Sequence, residues 1–333
     1  MKVTPFPHLL HIFFHEWLVQ QRNTSHHTVL SYRDSWRLFL RFVADRKNKS
    51  VAQLDLPDLG ATEVLAFLQY TEQKRHVSIG TRNCRLAALR SFFSFVADHE
   101  PLASAQCAEI LHIPTKKAPK RAVCYLDEDE LTAVLAQPDR SKREGQRDHL
   151  LWSVLFNTGA RIQEALNLTV HDFRLQSPFH VRLFGKGRKE RISPLWPETV
   201  ALLKAWLKRQ PRGEDDLIFV NRYGGPLGAA GVRFKLKGYV TAAAKKVPSL
   251  GSKRVTPHTF RHSAAVSLIE AGVDVTVIRS WLGHASLETT NHYARANIET
   301  KRRALAKVGA SSKLGKPPRW KRDPDVLAWL DSL

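Results

Sequence analysis

The chain of 333 residues is longer than one hydrophobic core usually organises, so two domains with tails are expected. At 43% hydrophobic and 25% charged, the composition excludes a disordered polymer. The 52 Lys and Arg against 31 Asp and Glu give a formal charge of +21, which points to a polyanionic partner, nucleic acid ahead of a membrane surface. The apolar stretch 9–18 is interrupted by His11, His15 and Glu16, and no run approaches the roughly 20 apolar residues of a membrane span. No secretory signal stands at the N-terminus, so a cytoplasmic, nucleoid-associated protein is expected. Cys84, Cys107 and Cys124 are scattered and odd in number, which reads as reduced packing residues rather than a metal or disulfide framework.

Residues 10–112 carry helical periodicity and little that resembles strand. Tyr32, Trp36, Phe39, Leu40 and Val43 fall on one helical stripe, and Leu86, Leu89, Phe93 and Val96 repeat the design with Arg82, Arg85 and Arg90 on other faces. Those arginines fit phosphate contacts or a solvated surface equally well. From 113 to 122 the sequence IPTKKAPKRA has two prolines and a run of basic residues in place of any apolar period, which predicts a linker, with Lys116, Lys117, Lys120 and Arg121 as candidate DNA contacts. Asp127 is placed to cap a helix ending near Ala136. Residues 179–195 predict two short strands around a Gly-Lys-Gly turn, with Arg188 near its tip as another candidate DNA contact. Helical patterns resume over 197–208 and 228–246, the latter carrying Arg233 and Lys235 as further candidate DNA contacts. After a basic stretch rich in Gly and Pro, Asp323 opens a last short helix whose apolar residues Val326, Leu327, Trp329, Leu330 and Leu333 need a surface to cover them.

The chemistry concentrates in three segments. In TPHTFRHSAAVSLIEAG, residues 256–272, Thr256 can cap a helix, Pro257 takes the first turn and Gly272 ends it. Phe260, Ala264 and Leu268 form its buried stripe, and His258 and Arg261 stand one turn apart beside it, while His262 and His292 read as packing or surface residues. Farther on comes WLGHASLETTNHY, residues 281–293, and upstream NTGARIQEAL, residues 157–166, offers Arg161 shortly after a glycine.

The motifs TGARIQEAL, GKGRKER, TPHTFRHS and LGHASLETTNHY, in this order, resemble those of the tyrosine recombinase, or phage integrase, family. The resemblance covers nearly the whole chain and is most specific in its second half. It implies a mainly α fold, with a helical core-binding domain at 1–112, the basic linker at 113–122, a mostly helical catalytic domain with a small antiparallel sheet at 123–305, and a tail at 306–333. It also implies that Arg161, Lys186, His258, Arg261, His284 and Tyr293 are the six active-site positions.

These residue types suit transfer of a phosphoryl group. Guanidinium forks at Arg161 and Arg261 match the oxygens of a phosphate as charge gathers on them. An ammonium at Lys186 can give up a proton to the departing 5′ oxygen. Tyr293 is the nucleophile, His258 the preferred base or relay, and His284 a hydrogen-bond donor to a non-bridging oxygen. The expected partner is double-stranded DNA with inverted-repeat sites, bound by a homotetramer in which the terminal helix docks on the next protomer. No cofactor or metal is expected, because carboxylates are sparse around the proposed site and GKGRK lacks the spacing of a phosphate-binding loop. Two other readings share parts of this pattern: a type IB topoisomerase that nicks and reseals one duplex, and a DNA-binding regulator that keeps the fold without the chemistry.

Overall fold

The computed structural model describes residues 4–118, 123–185 and 189–283, and in it the chain divides into two units, Met1–Lys120 and Arg121–Leu333. Lys120, Arg121, Lys186, Arg188, His284, Tyr293 and the tail from 306 lie outside the described residues.

The first unit is helical. A helix α1 (Phe6–Ile12) runs into a π-helical segment, Phe13–Gln21, and four helices follow: α2 (His26–Lys47), α3 (Ala61–Gln73), α4 (Ile79–His99) and α5 (Ser104–His112). Local chemistry sets their ends. Ser25 accepts a hydrogen bond from the Thr28 amide at the start of α2, Ser78 accepts one from the Thr81 amide at the start of α4, and α2 stops where Asn48 adopts a left-handed conformation. The expected stripes face one core: Trp36, Phe39 and Val43 of α2 meet Leu86, Leu89, Phe93 and Val96 of α4, with Trp36 packed edge-on against Phe92 at 4.6 Å between ring centres.

Two of the arginines on α4 turn inward. Arg82 is 4% exposed and donates to the Pro114 carbonyl, and Arg90 donates to the carbonyl of Ile113. Asn83 adds a two-way bond with the backbone of Lys116, donating to its carbonyl at 2.8 Å and accepting from its amide at 3.2 Å. Lys116 reaches Glu72 at 2.7 Å. The start of the expected linker is therefore fastened to α3 and α4, because carbonyls that leave a helix end need donors and these side chains supply them.

In the second unit, α6 (Glu128–Leu135) is capped by Asp127, which accepts from the Glu130 amide as its spacing predicts. Next come α7 (Arg143–Thr158), the short α8 (Ile162–Leu166) and a three-stranded antiparallel sheet of β1 (Phe173–Arg174), β2 (His180–Phe184) and β3 (Glu190–Pro194) in the order β1-β2-β3. Residues 180–194 form the hairpin expected from the sequence; the two-residue β1 gives too little pattern to be read in advance. Helices α9 (Pro197–Arg209), α10 (Ala229–Ala243), α11 (Pro257–Glu270) and α12 (Val275–Leu282) follow.

α11 lies at the centre of the unit. Phe260 and Ala264 are buried as expected and Leu268 is half-buried, but Arg261, Ser263, Ala265, Val266 and Ile269 are buried too, so the stripe is much wider than the sequence pattern suggests. α11 packs on α7, with Trp152 stacked on Phe260 at 5.4 Å. The segment before α6 is stitched to it: the Leu126 amide donates to Ser263 Oγ at 2.8 Å. Fully buried Glu130 accepts from Ser249 at 2.6 Å and from Lys253 at 2.5 Å. Burial tends to raise the Glu130 pKa, yet the bonds from Lys253 and Ser249 outweigh it and hold the carboxyl below its usual value. Among the described residues no helix is long and apolar enough to cross a membrane.

Candidate active site

The site is built around a joint between α7, α8, α11 and α12. α7 ends in Thr158-Gly159-Ala160: Thr158 Oγ1 donates to the Val154 carbonyl and accepts from the Ala160 amide, and Gly159 takes φ +60°. Glycine is required there twice over. An L residue is strained at that φ, and a Cβ would stand 2.2 Å from Leu282 Cδ2. The sharp turn leaves Arg161 extended at the N-terminus of α8.

Arg261, one of the largest fully buried side chains of the protein, aims its fork at this joint. Nη1 donates to the Gly159 carbonyl and Nη2 to the Leu282 carbonyl, both at 2.6 Å. These charge-assisted bonds fix the guanidinium and tie the ends of α7 and α12 to α11. Arg161 differs, since 41% of its side chain is exposed. Its Nη1 donates to Glu164 Oε1 at 2.7 Å and its amide to Glu164 Oε2 at 2.9 Å.

His258 is exposed one turn before Arg261. Partial desolvation, then the positive fields of Arg261 and Arg161, hold its pKa below 6.5, so the ring is neutral at physiological pH and able to accept a proton. The effect of both guanidinium groups on one imidazole is the electrostatic sign that Arg161, His258 and Arg261 converge. His262, read from the sequence as a packing or surface residue, packs edge-on against His258 at i, i+4 with ring centres 4.5 Å apart, and burial, then His258 and Arg261, push its pKa down to about 4.

Two further side chains were not singled out from the sequence. Glu164 is 5% exposed and accepts from Arg161 and from Arg191, whose Nη2 lies 2.6 Å from Glu164 Oε2. Burial works to raise the Glu164 pKa, but Arg191 and Arg161 outweigh it and keep the carboxylate charged. Arg191 of β3 also donates through Nε to the Trp281 carbonyl at 3.1 Å. Glu164 stands at the N3 position, where a Glu reaches back to the N-cap amide, but Arg161 at the N-cap has no acceptor and so gives no capping-box signal in the sequence. Arg191 was hidden by an inverted alternation: Val181, Leu183, Arg191 and Ser193 share the inward face, while Phe184 and Ile192 point outward.

The remaining candidates fall in different surroundings. Arg85 is half-buried on α4, where burial and then Arg75 lower its pKa. Lys117 is exposed. Lys235 reaches the buried Asp148 at 3.0 Å, alongside Arg147 and Tyr239. Arg233 is exposed and, with Lys237, Lys253 and Arg254, lines a basic cleft of about 630 Å³ that ends at Thr256. Next to Arg233 in sequence, Phe234 projects into solvent with 80% exposure. Cations lining a cleft with an exposed ring beside them have the character of a nucleic-acid interface. Tyr223 is likewise 80% exposed, with Arg222 over its ring at 4.7 Å. Among the described residues, no group of three His, Cys, Asp or Glu side chains is placed to hold a metal ion.

Residues 124–300 match the phage integrase family, and residues 13–100 match the phage integrase N-terminal SAM-like domain. A putative integrase/recombinase, y4rC, of Sinorhizobium fredii is 41% identical over 325 residues, covering 98% of this chain and 97% of its own. The tyrosine recombinase XerC of Pelobacter propionicus is 32% identical over 283 residues, covering 85% and 89%. Among solved structures, the XerH site-specific recombinase in its post-cleavage complex with palindromic difH substrate superposes with a TM-score of 0.66 at 25% identity, covering 85% of this chain and 80% of that one. The Tn1549 transposon integrase in complex with circular intermediate DNA shares the fold, with a TM-score of 0.65 at 17% identity over 92% of this chain and 100% of its own.

Proposed function

The chain belongs to the phage integrase family of tyrosine recombinases, an enzyme class that breaks and rejoins DNA, and from that premise we propose that it is a site-specific recombinase working through a 3′-phosphotyrosyl link at Tyr293. The observation that carries the proposal is the placement of Arg161, Arg261 and His258 about one joint, whose backbone Arg261 holds and where burial, then the two guanidinium groups, lower the pKa of His258.

The phenolic oxygen of Tyr293 attacks the scissile phosphorus as its proton passes to His258. The bond from phosphorus to the 5′ oxygen breaks, and Lys186 delivers a proton to that oxygen. Arg161 and Arg261 neutralise the charge that gathers on the non-bridging oxygens, assisted by a hydrogen bond from His284. Because the phosphotyrosyl ester conserves the energy of the broken strand, the 5′-hydroxyl of a second strand can attack it in reverse and release the tyrosine. Strand exchange takes place in a homotetramer over two inverted-repeat sites in cytoplasmic, nucleoid DNA. The helical domain of residues 1–112 and the catalytic domain of residues 123–305 both contact the duplex, and the basic linker at 113–122 connects them in sequence. The tail at 306–333 docks on the next protomer. The basic cleft beside α10 and the outward face of α10, with Arg233, Phe234 and Lys237, are the duplex-binding surface of the catalytic domain.

Incubation with a nicked suicide duplex carrying the inverted repeat tests this reading. A protein–DNA adduct stable to denaturation is expected from the parent chain and absent from Tyr293→Phe; an adduct that survives Tyr293→Phe overturns the assignment.

A further inference from the structure

Arg191 joins three parts of the catalytic unit that the sequence keeps apart. It stands on β3, opposite Leu183 of β2, at the base of the hairpin whose loop holds Lys186. The hairpin closes just beyond it, where the Gly185 amide donates to the Lys189 carbonyl at 2.9 Å. From this base the side chain reaches inward, 9% exposed, to Glu164 Oε2 at 2.6 Å and to the Trp281 carbonyl at 3.1 Å. Glu164 in turn holds Arg161 by its amide and its Nη1. The surroundings are shaped to this side chain. Gly283, at φ +64°, would bring a Cβ to 3.0 Å from Arg191 Cδ, and a Cβ at Gly185 would lie 3.4 Å from Glu164 Oε1.

We infer that Arg191 is a positioning residue that fixes the base of the β2–β3 hairpin against the Glu164–Arg161 pair and the end of α12, and so delivers the hairpin's general acid to the leaving oxygen. This inference rests on the proposed role of Lys186 as that acid. A guanidinium suits the task because its planar fork bonds a carboxylate and a carbonyl in two fixed directions, whereas an ammonium on a flexible stem fixes neither. A hairpin released from this tether keeps its fold and its ladder but loses its register with Arg161. A shift of about 1 Å in a reacting group slows chemistry by about a hundredfold.

The test is single-turnover cleavage on two suicide duplexes, one natural and one with sulfur in place of the bridging 5′ oxygen. A thiolate leaves without being protonated, so a defect confined to acid delivery vanishes on the sulfur duplex. R191M and R191K are expected to cleave the natural duplex about tenfold to a hundredfold more slowly than the parent, with unchanged DNA affinity, and to match the parent on the sulfur duplex. R191K retains a cation beside Glu164, which keeps the experiment informative if R191M melts early. K186A is the reference for the underlying reading and should also recover on sulfur, while R161A should not. Recovery of K186A without recovery of either Arg191 variant overturns the tether and leaves the acid assignment standing. Failure of K186A to recover removes the acid assignment and the inference together.

Discussion

Arg161 and Arg261 are expected to be equal in chemistry and unequal in architecture, and replacing each by Ala separates the two contributions. Arg261 is 1% exposed, and its terminal nitrogens make two 2.6 Å bonds to the Gly159 and Leu282 carbonyls. At roughly 1.5–3 kcal/mol for each hydrogen bond to a charged group, Arg261→Ala costs about 3–6 kcal/mol. In a domain of this size that lowers the melting temperature by about 10 °C. Arg161 is 41% exposed along its side chain, and Glu164 keeps Arg191 when Arg161 is removed. Arg161→Ala therefore costs less than about 1 kcal/mol, in the range of exposed ion pairs. Both substitutions are expected to slow cleavage of a suicide duplex by about two to three orders of magnitude, because in the proposed reaction each removes a guanidinium that offsets developing charge. Thermal melting, single-turnover cleavage and a DNA-binding titration on the same two proteins check these numbers. Equal melting temperatures would refute the structural role of Arg261, and a loss of DNA affinity as large as the loss of rate would reduce both arginines to DNA holders.

Other outcomes follow from neighbouring features. Gly159→Ala combines a left-handed backbone, worth about 1–2 kcal/mol, with a 2.2 Å approach to Leu282, so melting and cleavage fall together; an unchanged melting curve would contradict the joint described above. Burial first of all depresses the pKa of His149, His258 and His262, the last to about 4. On acidification the unfolded chain takes up protons near pH 6.5 that the folded chain refuses, so stability is complete above pH 6.5 and declines as the pH falls toward about 4. Melting curves from neutral pH down to about 4.5, above the carboxylate range, should show this decline, and His262→Gln should flatten it. Arg233→Ala should reduce the salt slope of DNA binding by about 0.9, whereas Arg82→Ala should leave the slope intact and lower the stability of the first unit, with equal slopes speaking against the distinction.

Periodicity and punctuation made the long elements legible. The stripes of α2 and α4, the Asp127 cap, the start of α11 at Thr256 and Pro257, and the 180–194 hairpin can all be read from residue spacing, because each depends on neighbours within a few positions. Contacts between distant residues left no such trace. Arg82 was read as facing away from the core, yet it serves the Pro114 carbonyl, 32 residues on. Arg191 meets Glu164 across 27 residues and Trp281 across 90, and a strand that points its arginine inward and its isoleucine outward runs against the usual rule. Of the six site positions, Arg161, His258 and Arg261 are brought to one joint; Lys186, His284 and Tyr293 lie outside the described residues, and their roles are proposals from the family pattern.

The stitching of residues 126–130 to the far side of the second unit bears on where the chain can be cut. Leu126 is bonded to the helix that carries His258 and Arg261, and Glu130 is the counter-ion of Lys253 just ahead of that helix. A catalytic fragment begun at Val123 keeps both attachments. One begun at Leu131 strips Lys253 of its carboxylate and the central helix of its first brace, so a protease that trims this short leader should inactivate the enzyme without touching a residue of its reaction centre.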